Sequence, residues 1–149
     1  MNRPVSLWIL LVTLFILALG GMAGAYGFLS DPTGLGMGMA GELGQLPVPD
    51  YTLPGYFLLV VMCIFPAFLM YGLFVRPTWK VFDPLEKWSK MRWPLVGSLA
   101  LGIALAFWLS MQACFIGFSA PVQWFTAILD FSILVTTLAP ATRNYFAQS

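Results

Sequence analysis

Four long apolar stretches, separated by short polar segments, dominate the hydrophobic pattern of this chain. A helix that crosses lipid needs about 20 mostly apolar residues, because each residue advances about 1.5 Å through roughly 30 Å of hydrocarbon. Residues 5–28, 53–75, 93–117 and 121–139 meet this requirement. Each must be helical in lipid, since its backbone polar groups find no water there. The pattern therefore predicts an all-α membrane protein, in which residues 1–149 form a single transmembrane domain built as a four-helix bundle.

The composition supports the same class. Of the 149 residues, 60% are hydrophobic and 9% are charged, whereas soluble domains average about 45–50% and about 25%. This excludes a soluble enzyme and a disordered chain. The net charge of +1 provides no general attraction for polyanions, so no nucleic-acid partner is expected. The chain has no histidine, the usual ligand of haem, copper and catalytic zinc, and no metal site or cofactor is predicted.

The positions of the basic residues predict the orientation in the membrane. Two lie near the ends of the chain, Arg3 and Arg143. The other five lie between the second and third spans: Arg76, Lys80, Lys87, Lys90 and Arg92. By the positive-inside rule, both termini and this middle segment face the cytoplasm. The segment with Asp31, Glu42 and Asp50 then faces outward.

The outward segment, residues 29–52, is rich in glycine but patterned. Apolar side chains recur there at spacings of four, four and three, which is one helical face: Leu35, Met39, Leu43 and Leu46. Each glycine weakens such a helix by up to about 1 kcal/mol relative to alanine. We therefore predict a short outer helix that packs over the mouth of the bundle. It is either a plain interfacial cap or a lid over a ligand site, with Leu35, Met39 and Glu42 as lid residues.

One ionisable side chain, Asp130, lies deep in a span. An ionised carboxylate at mid-bilayer costs at least about 2.5–3.5 kcal/mol, so Asp130 is expected to be neutral, paired or in contact with water. No lysine or arginine lies within a span, which argues against a salt bridge inside the chain. Gln123, Thr126, Asp130 and Thr137 share one helical stripe, and this stripe should face the bundle interior or another protein.

Other polar and aromatic side chains lie at depths from which they can join this stripe. Thr13 in the first span is level with Asp130, and Gln112 meets the start of the fourth span in a tight hairpin. The hypothesis is a ligand-binding site of six residues: Asp130, Thr126, Gln123, Gln112, Trp108 and Thr13. The alternative is interhelical hydrogen bonding, worth about 1 kcal/mol or less per bond. No catalytic residue is assigned, because a lone aspartate forms no acid–base pair.

Small residues and cysteines are interpreted structurally. The third span carries a row of small residues at four-residue intervals: Ser98, Gly102, Ala106 and Ser110. Gly20 and Gly24 have the same spacing in the first span. Such rows allow close helix approach, within the bundle or across an oligomer interface. Cys63 and Cys114 form no C-x-x-C pair and are interpreted as buried small apolar residues.

Short motifs along most of the chain suggest a family relationship. They are Gly20-Gly21, Asp31-Pro32-Thr33-Gly34, Leu35-Gly36-Met37, Pro54-Gly55, Trp108 with Gln112, and Gln123-Trp124. With this organisation the chain resembles small four-span bacterial membrane proteins that are distantly similar to the DoxX type. The resemblance implies a multi-pass protein of the bacterial cytoplasmic (inner) membrane. It implies no activity, and Asp130 lies outside the shared pattern.

Function hypotheses of different classes remain open. Small size, the lack of a soluble domain and the small-residue rows favour an accessory or interaction subunit of a larger membrane assembly, or a homo-oligomer. The polar stripe, the aromatic side chains and the glycine-rich outer segment favour the binding of a quinone, isoprenoid or lipid near Asp130. A membrane enzyme acting on such a ligand ranks lower. A transporter ranks lower still, since the chain shows no internal repeat.

Overall fold

A computed structural model describes residues 2–147, which contain helices, short connections and no strand. Four of their helices are long and apolar enough to cross a membrane: α1 (Val5–Ser30), α2 (Thr52–Val75), α4 (Trp93–Ile116) and α5 (Pro121–Leu138). Every predicted span boundary lies within two residues of these. Two shorter helices, α3 (Asp83–Ser89) and α6 (Pro140–Ala147), follow α2 and α5. The prediction of an all-helical chain with four helices long and apolar enough to cross a membrane is confirmed for these residues.

The four long helices are packed in a closed order, since α1 contacts α2 and α5, and α4 contacts the same two helices. Arg3 donates a hydrogen bond to the carbonyl of Phe74 at the end of α2, with a distance of 3.0 Å. The hydroxyl groups of Ser6 and Thr142 are 2.6 Å apart. The start of α1 and helix α6 therefore lie beside the connection between α2 and α4, at what we call the basic face. The connection between α1 and α2 lies at the opposite end, the acidic face.

The hydrophobic core fills the middle of the structure and the half nearest the basic face. Its fully buried members come from all four long helices: Leu7, Leu10, Leu14, Leu69, Leu73, Leu101, Leu105 and Ile133. Trp93 closes this half, where its ring, Trp79 and Phe82 form a cluster with centroid separations of 4.7–5.9 Å. A Cβ on Gly72 would collide with the Trp93 ring. Only glycine lets α2 approach this tryptophan so closely.

A π-helical turn interrupts α2 at Val60–Ile64, directly before Pro66. Proline has no N–H, so the carbonyl four residues earlier, that of Met62, loses its α-helical partner. Gly21 of α1 lies against this Met62 carbonyl, where a Cβ would clash with backbone atoms. The irregular turn and the glycine together bring α1 and α2 into backbone contact.

The segment at the acidic face differs from the predicted helix. Two 3-10 helices, Leu35–Met37 and Ala40–Gln45, replace one continuous helix. Gly34 and Gly38 flank the first with left-handed φ values of 74° and 70°, a conformation that ends helices. Leu35 is 74% exposed, so the prediction that it shares a buried face with Met39 is wrong.

The structure corrects two other expectations, which concern the segment after the last span and the burial of the cysteines. Helix α6 is absent from the sequence interpretation, yet it buries Thr142, Tyr145 and Phe146 against the basic face. Cys114 is exposed and Cys63 is half-buried, and both are free thiols. The interpretation of both cysteines as buried residues is therefore wrong for Cys114.

Candidate functional site

An apolar cavity of about 350 Å³, which we call the chamber, lies between the four long helices in the half nearest the acidic face. Two glycines of α1, Gly20 and Gly24, form part of its wall. Four of the six predicted ligand-binding residues line it as well: Trp108, Gln112, Gln123 and Thr126. The structure therefore brings most of the predicted site together around one space, whose wall also includes three residues of the hydrophobic core, Leu17, Met62 and Leu129.

The chamber has an exposed side between α1 and α5. On α1, Ile16 is 37% exposed and Gly20 is also exposed. On α5, Val122 and Phe125 are 63% and 51% exposed. All four residues line the chamber. The four residues belong to helices long and apolar enough to cross a membrane, and we call this exposed side the lateral opening.

The segment between α1 and α2 covers the chamber at the acidic face. Met37 and Met39 contribute to the chamber wall. Tyr51 holds this cover in place, because its hydroxyl donates to the Met39 carbonyl at 2.7 Å and its ring stacks on Phe28 at 4.5 Å. Burial raises the pKa of the Tyr51 phenol, and the charge of Glu42 adds to the shift. Of the three predicted lid residues, Met39 lines the chamber, whereas Leu35 and Glu42 do not.

A smaller cavity of about 140 Å³ lies under the same cover, beside Leu46, Pro47 and Tyr51. It shares Trp108 and Gln112 with the chamber. The two cavities therefore adjoin, and they provide one apolar region with an extension towards the acidic face.

The two glutamines of the site have different bonding. Gln123 Oε1 accepts hydrogen bonds from the backbone N–H groups of Ser119 and Ala120, both at 3.0 Å. Its Nε2 donates to the carbonyl of Gly117 at 3.0 Å and to Gln112 Oε1 at 3.3 Å. Gln123 thus stabilises the hairpin between α4 and α5. The Nε2 group of Gln112 donates to no residue of 2–147 and is free to bind an acceptor in the chamber.

The other two predicted residues in the chamber provide mainly apolar surface. The Trp108 ring stacks on Phe57 of α2, with 4.2 Å between the ring centroids. The Thr126 hydroxyl donates to the Val122 carbonyl of its own helix at 2.8 Å. The hydroxyl hydrogen of Thr126 is therefore already bonded within α5 and is not available to a ligand.

Asp130 and Thr13 lie outside the chamber. The Thr13 hydroxyl donates to the Ile9 carbonyl at 2.7 Å and lies 3.1 Å from the Ser132 hydroxyl. The expected approach of Thr13 to Asp130 is replaced by this pairing between α1 and α5. Asp130 instead lines an open groove of about 430 Å³ between α4 and α5. The six predicted residues therefore divide between two regions.

The carboxyl group of Asp130 is 6% exposed and forms no hydrogen bond with the described residues. Its Oδ1 atom lies close to Gly102 of α4. Four small residues and four large apolar residues line the groove beside it: Ala106, Ser110, Ala113 and Ala127, and Leu109, Phe118, Phe131 and Leu134. The part of the small-residue row nearer the basic face, Ser98 and Gly102, is buried, whereas the other part lines this groove.

The sequence interpretation missed several residues of the chamber. Ile16, Gly20, Gly24 and Phe28 follow one another at four-residue intervals and form one stripe of the wall. The glycines were interpreted only as packing positions, although the larger residues in the same stripe could have indicated a cavity wall. No group of three or more His, Cys, Asp or Glu that could hold a metal occurs in residues 2–147. No protein-family model, curated protein or solved structure matches the chain.

Proposed function

We propose that this protein binds a lipophilic small molecule in the chamber. One observation carries the proposal: the bundle is not solidly packed but contains about 350 Å³ of largely apolar space, which has a free amide donor and a lateral opening. Small-molecule sites are typically apolar cavities of about 300–1,000 Å³ with a few placed polar groups. The chamber fits this description.

The lining indicates which kind of molecule is bound. Trp108 and Phe125 provide flat apolar surface, and the Gln112 amide provides a donor. We infer a ligand with an aromatic or isoprenoid body and at least one hydrogen-bond acceptor, such as the carbonyl oxygen of a quinone or a lipid ester. The amide of Gln112 is half-buried, so an acceptor on the ligand would add one hydrogen bond, worth about 0.5–1.5 kcal/mol net.

The same proposal includes the route by which the ligand enters and the position of the chamber in the membrane. A lipophile dissolved in the bilayer reaches the chamber through the lateral opening between α1 and α5. The positive-inside rule places the basic face in the cytoplasm. The chamber then lies in the outer leaflet of the membrane, and the Met37–Met39 cover separates it from the aqueous phase.

Two probes with the same decyl chain test this proposal: decylubiquinone, which carries carbonyl acceptors, and decylbenzene, which has none. Purified protein in nanodiscs is titrated with each, and binding is followed by tryptophan fluorescence. We expect decylubiquinone to bind more tightly by on the order of fivefold, the value of one hydrogen bond. Gln112→Met should remove this preference, whereas Gln45→Met, at an exposed glutamine outside both cavities, should keep it. Absence of saturable binding of both probes would overturn the proposal.

A second candidate function, as a subunit of a larger membrane assembly, is favoured by the groove beside Asp130. The carboxyl group lacks a partner, and the four spans contain no lysine or arginine to provide one. Its small neighbours allow another helix to approach closely. We propose that a transmembrane helix of another protein, with a lysine or arginine near its middle, occupies this groove and pairs with Asp130.

Model transmembrane peptides test this second candidate. The peptides are leucine–alanine helices with either a central lysine or a central leucine. Fluorescence energy transfer in vesicles measures how strongly each peptide associates with the protein. We expect stronger association of the lysine peptide, and loss of that preference in Asp130→Asn. The paired control is Thr137→Val, which changes another buried polar residue of α5 away from the groove. Equal association of both peptides with the unmodified protein would rule the candidate out.

A further inference from the structure

A second large cavity, of about 610 Å³, lies at the basic face where α3 ends, α4 begins and α6 crosses. We call it the basic cavity. Three basic residues line it, Lys90, Arg92 and Arg143, together with one acid, Glu86. Glu86 is already occupied: its Oε1 accepts the backbone N–H of Trp93 at 3.0 Å and forms an ion pair with Arg92 at 3.3 Å.

The cavity therefore has an excess of two positive charges. Within residues 2–147, Lys90 and Arg143 form no ion pair. Two other basic residues of this face, Arg3 and Arg76, lie over aromatic rings at 4.0 and 5.0 Å. Lys90 and Arg143 are 53 positions apart in the sequence, and α6 brings them to one cavity. Unpaired cations that converge on a concave site attract an anion.

The position of the cavity indicates where this anion comes from. Leu95 lies in the first turn of α4, and Pro140 comes two positions after the end of α5. Both residues line the cavity, so it lies at the ends of two membrane-spanning helices, at the level of lipid headgroups. Leu95, Met91 and Phe146 give the cavity an apolar part beside its charged part. A ligand with a phosphate group on a glycerol backbone matches both parts.

The backbone at Lys90 contributes to the shape of the site. Lys90 ends α3 with a left-handed φ of 57°, which is uncommon for a residue other than glycine. Its N–H is bonded to the Glu86 carbonyl at 2.9 Å. The sharp end of α3 turns the chain directly into α4 and leaves Lys90 at the cavity.

We propose that the basic cavity binds the phosphate group of a glycerophosphate ligand, through Lys90 as a point charge and through the planar guanidinium group of Arg143. Asn144, which also lines the cavity, provides a further amide donor. The source of the phosphate is either an anionic phospholipid of the adjacent leaflet or a soluble glycerol phosphate. This inference is independent of the chamber, which lies at the opposite end of the helices.

Calorimetric titration of the full-length protein in a neutral detergent tests the proposal. The probes are dihexanoyl phosphatidylglycerol, dihexanoyl phosphatidylcholine and glycerol 3-phosphate. We expect phosphatidylglycerol to bind more tightly than phosphatidylcholine by on the order of tenfold, because it is a net anion, whereas the choline group cancels the phosphate charge and is repelled by Lys90 and Arg143. Glycerol 3-phosphate that binds as tightly as phosphatidylglycerol would identify a soluble source, and much weaker binding would identify the membrane.

Two double variants of equal charge complete the test. Lys90→Asn with Arg143→Gln should abolish the preference for phosphatidylglycerol; asparagine tolerates the left-handed backbone at this position. Lys80→Gln with Lys87→Gln removes the same charge from exposed lysines of the basic face that lie outside the cavity, and should preserve the preference. Equal affinity of the unmodified protein for the two lipids, or equal loss in both double variants, would overturn the proposal.

Discussion

Near the basic face, leucine side chains such as Leu10, Leu73 and Leu101 have no exposed surface, whereas near the acidic face the same helices enclose about 350 Å³ of space. The first half contains most of the fully buried core leucines, and the second contains the chamber, which the core residues Leu17, Met62 and Leu129 also line. In lipid, helices associate through van der Waals packing and hydrogen bonds rather than through the hydrophobic effect. The close-packed half therefore supplies most of the stability, and the other half is free to hold a ligand.

The largest expected effect concerns two neighbouring glycines of α1. Gly21→Ala places a Cβ against the Met62 backbone, which cannot move as a side-chain end can, whereas a Cβ at Gly20 meets nothing within 4 Å. We expect Gly21→Ala to lower the free energy of unfolding by about 1–3 kcal/mol. Gly20→Ala should leave it unchanged or raise it by up to about 1 kcal/mol, through helix propensity. Denaturant unfolding in mixed micelles measures both, and equal effects would contradict the described contact between α1 and α2.

Leucine truncation in each half gives a second, smaller contrast. Leu14→Ala removes a side chain with 0% exposure from the core. We expect this to lower the free energy of unfolding by about 2 kcal/mol. The value is near the lower end of the range for buried leucines, because a leucine that leaves the bundle enters lipid rather than water. Leu58→Ala, at a half-buried position of the chamber wall, should cost roughly half as much or less. Thermal unfolding of both variants checks the order, and a larger loss for Leu58→Ala would reverse the comparison of the two halves.

Near the acidic face, substitution of Gln123 should mainly reduce stability, whereas substitution of Gln112 should mainly reduce ligand binding. Gln123→Met leaves the hairpin N–H groups of Ser119 and Ala120 without their acceptor, so we expect a loss of about 1–2 kcal/mol of stability. Gln112→Met should change stability by less than about 0.5 kcal/mol while it weakens decylubiquinone binding. Unfolding and binding measurements on the same two preparations make this comparison. A stability loss of similar size in Gln112→Met would show that its amide has a structural role.

The smallest effect concerns the cover of the chamber at low pH. The Asp31 carboxylate accepts hydrogen bonds from the Thr33 hydroxyl at 2.6 Å and from the Gly36 N–H at 2.9 Å, and these bonds lower its pKa below the usual 3.8. Its contribution is therefore fully present above pH 3.8 and is lost as the pH falls through the lowered pKa. Hydrogen exchange, corrected for the intrinsic rate at each pH, should show lower protection of residues 33–39 in acid, and Asp31→Asn should show a weaker pH dependence of this protection. Unchanged protection down to pH 2 would contradict the assignment.

The sequence predicts the spans well because they follow from a simple physical requirement, the apolar length that crosses lipid. It also predicts that Gln123, Thr126 and Asp130 face inward, since all three are buried. The orientation and the DoxX-type resemblance stay predictions.

The parts that the sequence does not predict depend on distances between helices. Gly20 and Gly21 are the same residue type at adjacent positions, but Gly20 lines the chamber, whereas Gly21 contacts the backbone carbonyl of Met62. The assignment of Asp130 and Thr13 to one site was based on depth alone, and rotation of the helices separates them. The outer segment departs from its apolar periodicity because left-handed glycines override it.

Mass spectrometry of small molecules that co-purify with the protein tests the central claim most directly. The unmodified protein, Gly20→Ala and Gly20→Leu are purified from their host membrane in a mild detergent. Leucine at position 20 places a side chain at the lateral opening, whereas alanine adds only a methyl group. We expect one lipophile, enriched near one molecule per chain, in the unmodified protein and in Gly20→Ala, and its loss from Gly20→Leu. Absence of any enriched molecule, or equal retention by Gly20→Leu, would contradict the account.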